Sequence, residues 1–266
     1  METNMKRDTM EEIMNMESPR SEKAAQVQAG TLYGVGVGPG DPDLVTVKAA
    51  KILKSVDVVY AASSTKNDYS IAVNIANAYI PENTPVVILS FPMTRDNESV
   101  RQAWKKNAEM ILETLGKGKN AAFLTLGDSM TYSTFGYILK NIKMLDSNAR
   151  VETIPGITSY QAAAASLNMP LVEGEESLMI MSGADGGDKL RKTAEKPDTV
   201  VFLKAYKNVT DIVEALNENG RYKTSRGISN ISTDKEKIVE DISSFAETRP
   251  DYWTLIIAKQ KKDDVA

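Results

Sequence analysis

The chain has no cysteine and no histidine, and aromatic residues make up only 6% of its 266 positions. Each absence removes a class of chemistry. Without thiols there is no disulfide framework, no cysteine-based zinc site and no thiolate nucleophile. Without imidazole there is no Ser-His-Asp triad and no histidine acid–base catalyst. A protein-bound metal would have to rely on carboxylate or carbonyl oxygens, and none is expected. No run reaches the roughly 20 apolar residues of a membrane span, and the first residues lack the apolar core of a secretory signal. Neither sign of charge is in large excess: 32 basic against 36 acidic residues leave a net −4, which gives no global field attracting nucleic acid or anionic lipid. The expectation is a cytoplasmic protein with no nucleic-acid or membrane partner.

What is present is an alternation of short apolar runs with helix-period segments, the pattern of α/β folding. Residues 1–30 stand apart: they are polar, charged and dotted with methionine, with too little apolar surface to offset ordering, so they read as a disordered extension. Strands are expected at Leu32–Val37, Asp57–Ala62, Val86–Phe91, Ala121–Leu126 and Val151–Ile154, with helices at Val45–Lys54, Ile71–Tyr79, Glu98–Leu115 and Thr134–Leu145. A helix over Ser159–Leu167 opens a second series. There the strands are Leu178–Ser182, Thr199–Leu203, Arg226–Asn230 and Trp253–Ala258, with helices near Lys189–Ala194, Val209–Asn217 and Ile238–Phe245. The fold expected is α/β with two domains, residues 31–155 and 156–262, each a mixed sheet flanked by helices, the first mainly parallel, and a ligand cleft between them.

Three segments carry candidate chemistry. The first, Gly34-Val35-Gly36-Val37-Gly38-Pro39-Gly40-Asp41-Pro42-Asp43, follows the first strand and precedes a helix. Small residues there let backbone approach a ligand closely. Spacing excludes two familiar explanations. A G-x-G-x-x-G fingerprint begun at Gly34 or Gly36 meets Pro39 or Asp41 at its third glycine, and no Gly-Lys-Ser/Thr follows to make a Walker loop. The second segment is Leu126-Gly127-Asp128-Ser129-Met130-Thr131-Tyr132-Ser133-Thr134, where Asp128 or Ser129 is either a helix cap or a binding group. The third is Pro155-Gly156-Ile157-Thr158-Ser159, where Thr158 or Ser159 stands at the start of an alanine-rich helix. Together they place three small, polar loops at the carboxyl ends of strands one, four and five, where open α/β sheets bind ligands.

In this order and at these spacings, GVGVGPGDPDLVTVKAAKIL, LTLGDSMTYSTFGYI and ETIPGITSYQAAAASL resemble the tetrapyrrole methylase family over about residues 31–260. Within it, Tyr69-Ser70-Ile71-Ala72, LSFPMTRD and DSMTYST resemble the branch that methylates C-20 of precorrin-2 or its cobalt complex in cobalamin biosynthesis. The resemblance implies S-adenosylmethionine as methyl donor, S-adenosylhomocysteine as product, a tetrapyrrole substrate and a homodimer. It implies cofactor contacts at Pro39, Gly127, Asp128, Thr131, Thr158, Ser159, Leu203 and Lys204. A last contact near Ile231 is less defined, because the glycine usual there is missing from Asn230-Ile231-Ser232. The chain also departs from the family's Gly-Asp-Pro, with Ser129 in place of the proline.

The tetrapyrrole is expected over the glycine-rich loop at Gly38 and Gly40, with Arg95 and Arg101 meeting its carboxylates, since an Arg fork pairs carboxylates bidentately. Asp41 and Tyr132 are the candidates to handle the proton that leaves the methylated carbon, although Asp41 reads equally well as a helix cap. The same fold acting at another tetrapyrrole position, or binding without turnover, remains an alternative reading of these residues.

Overall fold

The computed structural model describes residues 28–64, 70–92, 94, 96–246 and 250–260. Most of the expected extension, residues 1–27, lies outside them. In the first half, five apolar runs become β1 (Thr31–Gly36), β2 (Val58–Ser64), β3 (Val86–Phe91), β4 (Ala121–Thr125) and β5 (Arg150–Ile154). They form one sheet in the order β3-β2-β4-β1-β5. Every pair in it is parallel, so the expected mixed sheet is not found in this half. The connections explain why. Helices α1 (Val47–Leu53), α2 (Ile71–Ala76), α3 (Asn97–Gly116) and α4 (Phe135–Leu145) alternate with the strands, and a helical crossover brings the chain back to start the next strand in the same direction.

Both faces of this sheet are covered. Ala108, Ile111 and Leu115 of α3 join Phe135, Ile138 and Ile142 of α4 on one face, while Ala49 and Leu53 of α1 join Ala72 and Ile75 of α2 on the other. Central β4 is accordingly buried at all five positions, as a parallel strand covered on two sides must be. Full burial of each such large apolar side chain stabilises by about 1.5–3 kcal/mol. Gly34 has a packing reason in this core: a Cβ there would lie 2.2 Å from the Phe135 ring.

Helix α5 (Ser159–Ser166) follows β5 and packs, through Ala162 and Ala163, against the second sheet rather than the first. That sheet comprises β6 (Leu178–Ser182), β7 (Thr199–Leu203), β8 (Tyr222–Ser229), β9 (Lys237–Val239) and β10 (Thr254–Gln260), in the order β6-β7-β10-β8-β9. It is mixed, as expected: β6 and β7 are parallel and the remaining pairs antiparallel. Helices α6 (Asp188–Lys192) and α7 (Val209–Asn219) cover its other face with Leu190, Ile212 and Leu216. Arg191 ties these two helices together, reaching Asp211 at 2.7 Å and Glu218 at 2.8 Å.

The helix expected over Ile238–Phe245 does not form. Lys237–Val239 is an edge strand on β8, and only Ile242–Ala246 turns, as a 3-10 segment. Two β-branched residues, Ile238 and Val239, favour the strand. Asp241 then accepts a hydrogen bond from Ser243 N at 2.9 Å and starts a new turn.

Candidate functional site

The strand order puts β1 between β4 and β5, so the three loops singled out by sequence leave neighbouring strands at one edge of the first sheet. They meet backbone to backbone. Gly38 and Gly127 exchange two hydrogen bonds, Gly38 N to Gly127 O at 3.2 Å and Gly127 N to Gly38 O at 2.7 Å. Both glycines have left-handed backbone, with φ of 81° and 72°, which side chains rarely permit. A Cβ on Gly36 would sit 2.6 Å from Gly156 N, and one on Gly156 would sit 2.2 Å from Gly127 O. Gly36 and Gly156, to which the motifs alone assign no role, are what lets the turns touch. Gly127 is itself buried, yet space is left beside it, the nearest atom to a Cβ there being Ile157 O at 3.9 Å.

Asp128 locks the cluster. One carboxylate oxygen accepts from Met130 N at 2.9 Å and from the Thr131 hydroxyl at 3.2 Å. The other accepts from Gly156 N at 3.0 Å, joining the β4 turn to the β5 turn. Asp128 therefore shapes the turn and caps no helix. Thr158 does cap: its hydroxyl accepts from Gln161 N, and Gln161 Oε1 in turn accepts from Thr158 N, a reciprocal capping box at the start of α5. Ser159 is the first residue of that helix and is half-buried.

The cap expected of Asp41 is displaced by one turn. Its carboxylate accepts from Asp43 N at 2.8 Å and caps the 3-10 turn Pro42–Leu44, whereas Thr46 caps α1 through Ala49 N. Pro42 explains the shift, because it fixes φ at the first position of a separate short turn. Tyr79 pins that turn from the end of the second crossover, donating to Pro42 O at 3.0 Å.

Residues of the second sheet face these turns. Tyr132 reaches across to Ile180 O at 3.4 Å, and the Lys204 ammonium lies 6.0 Å from the centre of its ring. Lys204 follows Leu203, the half-buried end of β7. On the other side, a Cβ on Gly40 would meet Ser232 O at 2.7 Å and Ile231 O at 2.8 Å. The glycine-rich loop thus touches the turn after β8.

Five non-glycine residues carry positive φ among the described residues: Tyr132 (50°), Asn168 (49°), Lys204 (58°), Asn230 (53°) and Ser232 (59°). All but Asn168 belong to the turns just described. Such backbone costs energy and persists where the surrounding structure over-determines it. Asn230 and Ser232 also supply, on either side of Ile231, the conformation that the missing glycine would have favoured. Beyond them, Tyr206, Tyr252 and Trp253 form an aromatic group with ring centres 4.6 and 5.6 Å apart. Burial, with Tyr206 adding a smaller effect, holds the Tyr252 phenol above its ordinary pKa.

Pro39 is buried within the loop. Arg101 is exposed on α3, and no hydrogen bond among the described residues ties it to the turns. Arg95 lies outside the described residues.

The glycine turns of this two-sheet α/β chain converge at adjacent strand ends and are faced by turns of the second sheet, the position at which open α/β sheets bind ligands. Residues 31–245 match the model of the family described as Tetrapyrrole (Corrin/Porphyrin) Methylases. The chain belongs to that family. It is 31% identical over 233 residues to the cobalt-precorrin-2 C(20)-methyltransferase of Salmonella typhimurium, covering 87% of this chain and 97% of that protein. It is 36% identical over 234 residues to the probable cobalt-precorrin-2 C(20)-methyltransferase of Methanocaldococcus jannaschii, covering 87% and 96% respectively. Among solved structures, the uroporphyrin-III C-methyl transferase from Thermus thermophilus complexed with S-adenyl homocysteine shares the fold, with a TM-score of 0.61 at 24% identity over 86% of this chain and 97% of that one.

Proposed function

We propose that this chain is an S-adenosylmethionine-dependent C-methyltransferase acting at C-20 of precorrin-2, metal-free or carrying cobalt, in cobalamin biosynthesis. The observation that carries the substrate assignment is the match to relatives named for this reaction over 96–97% of their length. The donor fits the residues present. Gly127 leaves space beside it that a Cβ would narrow, and the neighbouring Ser129 hydroxyl is buried without a hydrogen-bond partner among the described residues. In this reading Pro39, Gly127, Asp128, Thr131, Thr158, Ser159, Leu203, Lys204 and Ile231 hold the cofactor, residues 31–155 and 156–262 act as two domains closing on it, and no protein-bound metal takes part.

When bound, S-adenosylmethionine supplies an electrophilic methyl group on a sulfonium. The chain itself then has to orient and to exclude water, which supplies much of the acceleration for an in-line displacement. Glycine turns joined backbone to backbone suit that task, and a chain lacking histidine and cysteine loses nothing by it. Gly38 and Gly40 lie beneath the macrocycle, Arg101 and Arg95 meet its carboxylates, and Tyr132 forms a wall. Asp41 takes the proton leaving the methylated carbon. One of its oxygens is engaged with Asp43 N, and its second oxygen is the acceptor assigned to that proton. The enzyme works as a cytoplasmic homodimer, apart from nucleic acid and membrane.

Incubating the purified protein with methyl-labelled cofactor and either metal-free or cobalt-containing precorrin-2 tests this reading. Label at C-20 of either substrate supports it and identifies the preferred form. No transfer to either overturns it, and label at another ring position replaces C-20 with that position.

A further inference from the structure

Ser129 is wholly inaccessible to solvent. Its hydroxyl is the one buried side-chain oxygen or nitrogen among the described residues that has no hydrogen-bond partner. Its neighbours make the contrast sharper. Asp128 uses both carboxylate oxygens, Thr131 donates to Asp128, and the Ser133 hydroxyl accepts from Phe135 N at 2.9 Å and lies 3.4 Å from the Thr125 hydroxyl. Every other polar side chain from Asp128 to Ser133 whose hydrogen bonding bears on the turn is thus engaged within the cluster or, for Tyr132, with Ile180 O. Burying a hydroxyl without a partner is unfavourable, and alanine at this position would avoid it at nearly the same volume. A hydroxyl buried in this way calls for a partner from elsewhere.

The surroundings suggest where that partner comes from. Ser129 sits two residues from Gly127, beside which a Cβ would have room, and three from Tyr132, whose left-handed backbone stores strain that a shift of the turn can release. Because the hydroxyl is shut off from solvent, only such a shift brings it to a ligand.

We infer that Ser129 is a further cofactor-binding residue: when the nucleoside–amino acid ligand seats against the Gly127–Tyr132 turn, the turn moves slightly and the Ser129 hydroxyl bonds a polar group of that ligand. This rests on the cofactor site proposed above and adds to it a residue that couples occupancy to the turn's conformation. The hydroxyl is unfavourable in the free protein and favourable in the complex, so one substitution has effects of opposite sign in the two states.

The experiment measures thermal unfolding without ligand and S-adenosylhomocysteine affinity by calorimetry, for the wild type, Ser129→Ala and Ser129→Cys. In the absence of ligand, Ser129→Ala is expected to unfold at the same temperature or a few degrees higher. Its affinity for S-adenosylhomocysteine is expected to fall roughly threefold to tenfold, the range of one neutral hydrogen bond. Ser129→Cys retains a weak donor and recovers part of that loss; the thiol is unique in a chain without cysteine. An alanine variant that unfolds several degrees lower without ligand overturns the inference, since the hydroxyl is then bonded inside the fold. Unchanged affinity overturns it as well, because the hydroxyl is then idle. Failure of the wild type to bind S-adenosylhomocysteine overturns the cofactor site and this inference together, which separates that failure from the other two.

Discussion

At the scale of single residues, the turn cluster is built from backbone, and that makes its glycines the least replaceable positions in it. Gly36→Ala and Gly156→Ala each force a Cβ to within 2.8 Å of backbone atoms that have no rotamer to change. Each is expected to lower unfolding free energy by about 3 kcal/mol or more, measured by urea titration. Gly136→Ala serves as the control: a Cβ there meets nothing within 4 Å, and in α4 the substitution is expected to stabilise by about 0.5 kcal/mol. The motifs containing these glycines were legible in the sequence because small residues after a strand are an unusual pattern. Which glycine meets which was not, since contact between β1 and β5 turns depends on strand order. Nor was the positive φ of Lys204 or Ser232 legible, because neither residue type signals left-handed backbone.

At the scale of elements, strand and helix positions followed from apolar periodicity wherever an element had a core face to fill, as in β4 and α4. Misreadings came where an element is short and peripheral: β9 is three residues on a sheet edge, and the Asp41 cap belongs to a 3-10 turn that Pro42 separates from α1. The sequence leaves Thr158 and Ser159 as alternatives at the start of α5; Thr158 takes the cap, because Gln161 three residues on completes a capping box with it. Thr158→Ala is expected to cost about 1 kcal/mol in urea unfolding, with Gln161→Ala costing less.

The α6–α7 clamp gives the second sheet its own response to acid. Hydrogen bonding from Gly187 N, and then from Arg191, holds the Asp211 carboxyl below its ordinary pKa, and Arg191 does the same for Glu218. A depressed carboxylate contributes stability above the unfolded-state value of about 4, and that contribution is lost as pH falls through the lower folded value. Urea midpoints should therefore decline below about pH 4 in the wild type, and Asp211→Asn should flatten that decline while lowering the midpoint at pH 7.

For the molecule as a whole, the contact between the glycine-rich loop and the turn after β8 is, with that of Tyr132 on Ile180 O, a place where the two halves of the chain meet. Gly40→Ala places a Cβ against Ile231 O and Ser232 O and is expected to weaken S-adenosylhomocysteine binding about tenfold, read by calorimetry, with a smaller effect on unfolding than Gly36→Ala. The two-sheet organisation was legible from the two strand series, but the parallel pairing throughout the first sheet follows from crossovers that composition alone does not rank. The same strand order governs how the protein is made. β1 is synthesised first of all the strands, yet its partners are β4 and β5, and the bond from Thr31 N goes to Asn120 Oδ1, 89 residues further on. At translation rates of 5–20 residues per second, β1 waits roughly 5–20 s on the ribosome before its first neighbour emerges. Loop closure over that length is slow as well. The first strand and its glycine turn therefore cannot find their place until β4 has emerged, with β5 adding to β1 later still, and a nascent chain stalled before β4 exposes an unpaired apolar strand for chaperones to shield.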